Sequence, residues 1–157
     1  MPETGAPGDG AGDTDARRNS YAGEGTVPLS VRMYVPLRER YKKLARELTA
    51  DGYRTWENDL YAALLHFGPE DVDQATDLLE RFRAVRHQYD GEPTRPTAPR
   101  VYASIHSRYQ QLAWALEDAG VQHASMTELL HALLHFGPAD AVDARALARR
   151  WRMFLAA

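Results

Sequence analysis

The heptapeptide ALLHFGP occurs twice, at 63–69 and again at 132–138, in a chain of 157 residues. An identical heptapeptide in so short a chain marks a duplication, and a duplication restricts the fold to two copies of one supersecondary unit. The copies extend upstream. RMYVPLRERYKKLAREL, from Arg32, aligns with RVYASIHSRYQQLAWAL, from Arg100, at an offset of 68. One extra residue after the first helix raises the offset to 69. Arg32 falls on Arg100, Tyr34 on Tyr102 and Arg40 on Arg108.

Each copy reads as strand, helix, helix, helix. Val27, Leu29, Val31 and Met33 alternate with Ser30, Arg32 and Tyr34, the period of a strand with one buried face. The counterpart, TAPRVYAS (97–104), has Pro96 just before it and Pro99 within it, which suits an edge or a bulge better than a central strand. Leu37, Tyr41, Leu44, Ala45 and Leu48 match Ile105, Tyr109, Leu112, Ala113 and Leu116, one face of a helix. Gly52 and Gly120 stand where such a helix takes its glycine C-cap. Ser125-Met-Thr-Glu128 is a capping box for the second helix of the second copy; Thr55 or Asn58 serves the first. Gly68-Pro69 and Gly137-Pro138 read as left-handed glycine caps, each followed by a proline that starts the next helix. His66 and His135, at those helix ends, are placed to meet the last carbonyls. The third helices open with acids and close with arginines, as the helix dipole favours. Val72, Ala75, Leu79 and Phe82, and then Ala144, Leu147, Trp151 and Phe154, give each an apolar face. The expected fold is mainly α: two tandem β-α-α-α repeats with a short two-stranded antiparallel ribbon.

The expected organisation is a tail at 1–25, a first repeat at 26–90, a linker at 91–98 (GEPTRPTA) and a second repeat at 99–157. The tail has six glycines and almost nothing apolar, so it is expected to be disordered. Its five acids and two bases supply the whole net charge of −3. No apolar run approaches the roughly 20 residues that span a bilayer. No basic-then-apolar leader opens the chain, and there is no cysteine, so a cytoplasmic location is expected and thiolate metal sites are excluded. Seventeen of the 19 basic residues are arginine, a bias typical of GC-rich bacterial coding.

Charge is segregated along the sequence. Residues 26–46 hold six bases and one acid, and residues 93–116 hold three bases and no acid. Residues 55–80 hold seven acids and no base, and residues 109–144 hold five acids and no base other than histidine. Both strands, with the helices that follow them, would therefore meet a polyanion first.

With VRMYVPLRERYKKLAREL and SMTELLHALLHF in place, the chain resembles the ribbon-helix-helix (Arc/MetJ-type) DNA-binding proteins over about residues 27–68 and 97–137. The resemblance implies that the two strands pair into an antiparallel ribbon that enters the major groove. By position it makes Ser30, Arg32, Ala98 and Arg100 the base readers, with arginine suited to guanine. It places Tyr34, Arg38, Arg40, Lys42, Lys43, Thr55, Tyr102, Arg108 and Ser125 toward the DNA backbone, the helix N-termini contributing N–H groups. It further implies a transcriptional regulator or plasmid-maintenance factor, nucleoid- or plasmid-associated, with double-stranded DNA as partner and no cofactor.

Other chemistry finds less in the sequence. His131 and His135 are one helical turn apart, but the first copy has Ala62 and His66, and no third ligand is in view; no metal is expected. There is no Gly-rich phosphate loop and no nucleophile elbow, so no enzyme is expected. Trp56, Trp114 and Trp151 could stack on bases, but at helical positions core or interface packing is the expected role. A relaxosome or partition accessory, and a scaffold or antitoxin-like binder using the third helices, stay open as rivals. A homo-oligomer and a protein partner at the third helices are compatible with the same pattern.

Overall fold

The computed structural model describes residues 21–157. The tail expectation for residues 1–20 lies outside them. Four short strands and six α-helices follow in order: β1 (Thr26–Pro28), β2 (Val31–Tyr34), α1 (Val35–Ala50), α2 (Glu57–His66), α3 (Val72–Val85), a 3₁₀ turn (Arg86–Tyr89), β3 (Thr94–Thr97), β4 (Arg100–Tyr102), α4 (Ala103–Asp118), α5 (Met126–Phe136) and α6 (Ala141–Ala156).

The strands pair antiparallel, β1 with β4 and β2 with β3. One register runs through both pairs. Thr26 faces Tyr102, Pro28 faces Arg100, Val31 faces Thr97 and Tyr34 faces Thr94. Leu29 N–H donates to the Pro99 carbonyl at 2.8 Å, which joins the two pieces. Counting inward from both sides brings Ser30 opposite Ala98 at the midpoint. The result is a short two-stranded antiparallel ribbon of two matched strands. β3 uses Thr94–Thr97, which the sequence placed in a linker.

α1 and α4 end as expected. Gly52 and Gly120 have φ of 88° and 89°, open only to glycine at low cost. The Schellman pair of bonds closes each end: Gly52 N–H to Thr49 O with Tyr53 N–H to Leu48 O, and Gly120 N–H to Glu117 O with Val121 N–H to Leu116 O. Asp71 and Asp140 cap α3 and α6, accepting from Gln74 N–H at 2.8 Å and Asp143 N–H at 2.9 Å. Pro69 and Pro138 therefore stop short of those helices rather than open them.

Gly68 and Gly137 are not left-handed caps. Neither has positive φ, and Gly137 is extended at φ −74°, ψ −168°. They are glycines because of what approaches them. A Cβ on Gly68 would overlap the Tyr109 hydroxyl, and one on Gly137 would overlap the Tyr41 hydroxyl. Those hydroxyls donate across the molecule, Tyr41 to Leu134 O and Tyr109 to Leu65 O, each at 2.6 Å. Burial raises both phenol pKa values to about 12.

The third helices cross over. α3 packs on α4 and α5, and α6 packs on α1 and α2. Phe82 of α3 lies near His135, and Trp151 of α6 near His66. Arg81 covers the Phe136 ring and Arg150 covers the Phe67 ring. Each copy thus buries its third-helix face in the other, and the buried apolar residues of both form one continuous core. Arg83 and Arg86 also reach across to Glu128, at 2.6 Å each. Glu128 is 7% exposed, and its carboxylate holds these two arginines instead of returning to the Ser125 backbone as a full capping box would. Ser125 still caps α5, its Oγ accepting from Glu128 N–H at 3.1 Å.

Candidate nucleic-acid interface

The ribbon has an inner and an outer face. Leu29, Val31, Met33, Pro99 and Val101 are buried toward the helices. Thr26, Pro28, Ser30, Arg32, Pro96, Ala98 and Arg100 are exposed on the other side. All four expected base readers therefore share one solvent-facing surface. Arg32 lies opposite Pro96 and Arg100 opposite Pro28. The two arginines are thus four residues apart along the ribbon, about 14 Å at the usual antiparallel rise.

Side chains and main chain at the readers are both held. Arg32 donates from Nε to Thr94 Oγ1 at 3.1 Å and from Nη2 to Thr94 O at 3.3 Å. Arg100 does the same to Thr26, at 3.1 and 2.9 Å. Asn58, near the start of α2, clamps the Arg100 backbone: its Nδ2 donates to Arg100 O at 2.8 Å, and Arg100 N–H donates to its Oδ1 at 2.7 Å. On the other strand, His131 Nε2–H donates to Arg32 O at 2.9 Å. Asn58 is thus not a cap for α2. Trp56 is the N-cap residue, its N–H donating to Asp59 Oδ2 at 2.9 Å.

Comparing the strands position by position separates the two faces. On the outer face Thr26, Pro28, Arg32 and Tyr34 recur as Thr94, Pro96, Arg100 and Tyr102, and only Ser30 changes, to Ala98. On the inner face Val27, Leu29, Val31 and Met33 become Arg95, Thr97, Pro99 and Val101, and none recurs. Val31/Pro99 and Met33/Val101 are buried in both strands, while Arg95 is exposed and Val27 and Thr97 are half-buried. At the two buried pairs packing alone would favour retention, since buried positions feel each methylene and exposed ones seldom do.

The residues expected at the DNA backbone divide. Arg40 donates to Leu134 O and His135 O, and Arg108 to Leu65 O and His66 O. Their guanidinium groups, with the tyrosines beside them, take the helix-end carbonyls expected for histidine. His66 and His135 instead sit 2.8 and 2.7 Å from the Tyr21 and Tyr89 hydroxyls. Thr55 is buried, its hydroxyl donating to Tyr53 O. Tyr34 stacks on Tyr89 and Tyr102 on Tyr21, at 4.7 and 4.5 Å between ring centres. Lys43 is exposed, Lys42 is paired with Glu39 at 3.9 Å, Arg38 is half-buried on α1, and Ser125 is occupied as a cap.

Tyr21 and Tyr89 went unnoticed in the sequence. YAGEGT (21–26) and YDGEPT (89–94) are the true start of each copy, with Gly23 and Gly91 at φ 76° and 81°. Residues 21–25 are placed, although the sequence assigned them to the tail. Trp56 and Trp114 are 62% and 58% exposed and so lie outside the core, whereas Trp151 is core.

The histidines beside the ribbon favour the neutral form. Burial holds His131 below the usual imidazole range, and burial with the nearby Arg40 charge does so for His135. Among the described residues no group of three or more potential ligands gathers for a metal ion, and no helix is long and apolar enough to cross a membrane. Comparison with protein-family models, curated proteins and solved structures gives no match.

Proposed function

We propose that the chain is a tandem ribbon-helix-helix protein, its two copies pairing within one molecule, that binds double-stranded DNA sequence-specifically. The outer ribbon face enters the major groove, and Arg32 and Arg100 read base edges with Ser30 and Ala98 between them. The observation that carries this reading is the retention of the outer residues in both strands while every inner one differs. A two-fold surface kept in duplicate suits a ligand with two-fold symmetry, and duplex DNA is one. The positive balance of the ribbon and α1 supports the same ligand through phosphate attraction. The role that follows is regulatory or plasmid-maintaining, without catalysis.

The third helices motivated a scaffold or antitoxin-like reading. Their apolar faces pack against the other copy, and Val142, Met153 and Leu155 of α6 stay exposed. The test is selection of a preferred duplex from a random pool, followed by titration with wild type and with Arg32→Ala/Arg100→Ala. Each lost base contact is expected to cost about 1–3 kcal/mol. A double variant that binds the selected duplex as tightly as wild type at physiological salt overturns the proposal.

A further inference from the structure

We infer that Thr26 and Thr94 are positioning residues for guanine recognition, each holding the arginine of the opposite strand in the posture that reaches a base. The inference rests on the DNA reading above. Thr94 offers Arg32 two acceptors, Oγ1 for Nε and the carbonyl for Nη2, and Thr26 offers Arg100 the same two. Two acceptors fix the guanidinium plane against the ribbon. They leave Nη1 of both arginines without a partner among the described residues. The uncommitted Nη1 edge, with the second Nη2 proton, is a two-donor fork that fits the O6 and N7 acceptors of guanine.

The main chain is fixed at the same residues, by His131 at Arg32 and by Asn58 at Arg100. A side chain already ordered loses less freedom on binding, so the restraint favours the base contact. Stabilisation of the ribbon is the plainer explanation for the Arg–Thr bonds. It does not account for their recurrence, because exposed hydrogen bonds contribute little to stability, and the inner face, which contributes more, was not retained.

The near two-fold placement of the arginines sets the target. They face two guanines on opposite strands, one toward each end of the ribbon, since Thr94 and Thr26 draw the two guanidinium groups outward from its midpoint.

The probe is the selected duplex with one or both of those guanines replaced by 7-deazaguanine, which lacks the N7 acceptor. Wild type should bind it about tenfold more weakly per guanine. Thr26→Val/Thr94→Val, which keeps shape and removes the hydroxyl, should reduce that discrimination by about two- to tenfold per arginine. Thr26→Ser/Thr94→Ser should restore it. The single variant Thr94→Val should relax discrimination only at the guanine read by Arg32, and this variant carries the test if the double one fails to fold. Val variants with wild-type melting temperature and wild-type discrimination overturn the inference while the DNA reading stands. Wild type that ignores 7-deazaguanine at every guanine, together with an indifferent Arg32→Ala/Arg100→Ala, overturns the DNA reading itself.

Discussion

Gly137→Ala should destabilise the protein, and Tyr41→Phe should remove most of that cost. Gly137 has φ −74°, a value alanine adopts freely, so backbone strain contributes nothing to the expectation. The cost comes from space. An added methyl meets the Tyr41 hydroxyl below contact distance, the Leu133 carbonyl at 3.0 Å and Leu64 Cδ1 at 3.2 Å. Tyr41 is fully buried, so its ring has nowhere to retreat. Overpacking of this kind costs about 1–3 kcal/mol. Displacing the hydroxyl also weakens its 2.6 Å bond to Leu134 O, roughly 1 kcal/mol more. The single Gly137→Ala variant should therefore lose about 2–4 kcal/mol. Tyr41→Phe alone should lose about 1 kcal/mol, because Arg40 still donates to the same carbonyl. In the Tyr41→Phe background most of the overlap is gone, and the alanine should cost less than about 1 kcal/mol. Urea unfolding of the four proteins in this double-mutant cycle measures the coupling, expected at about 1–3 kcal/mol. Equal losses from Gly137→Ala in both backgrounds would refute the reasoning and move the cost to the Leu133 carbonyl and Leu64.

Two further outcomes follow from buried charge. Glu128→Gln leaves Arg83 and Arg86 facing a neutral amide; burial on the glutamate side is deep, but the arginines are 28% and 48% exposed, so the loss should be about 2 kcal/mol rather than the 3–5 of a fully buried pair. A change under about 0.5 kcal/mol in the urea midpoint analysis would make the cluster incidental. Acidification should also destabilise the fold. His131 and His135 have folded pKa values below the ordinary 6.5, so the unfolded chain takes up protons first; the stability they confer is complete above about pH 6.5 and is lost as pH falls through their folded values. Urea midpoints between pH 7.5 and 5 check this, and His131→Gln should flatten the dependence; an unchanged slope would show that His131 is not its source.

Much of this was legible in the sequence because local rules govern it. The helices, the left-handed Gly52 and Gly120, the Ser125 cap and the third-helix apolar faces follow from periodicity and capping chemistry. The misread features depend on distant groups. Gly68 and Gly137 look like helix stops, yet it is Tyr109 and Tyr41, about 40 and 96 positions away, that require them. Arg40 and Arg108 read as phosphate ligands because sequence shows charge but not what the charge faces. The start at Tyr21 was hidden by its glycine-rich neighbours, although YAGEGT against YDGEPT repeats in plain view. The outer ribbon face was legible from strand alternation, since Arg32 and Arg100 fall on the polar phase of each strand. The threonines that hold them were not, because cross-strand register is needed to pair Thr94 with Arg32 and Thr26 with Arg100.

Dimethyl sulfate footprinting on the selected duplex tests the central claim most directly, because it methylates guanine N7 in the major groove and adenine N3 in the minor groove. Binding through the outer ribbon face predicts protection of two guanines on opposite strands, with adenine N3 left reactive and with protection lost in Arg32→Ala/Arg100→Ala. Saturating protein that leaves every guanine N7 reactive, or that protects only the minor groove, would contradict it.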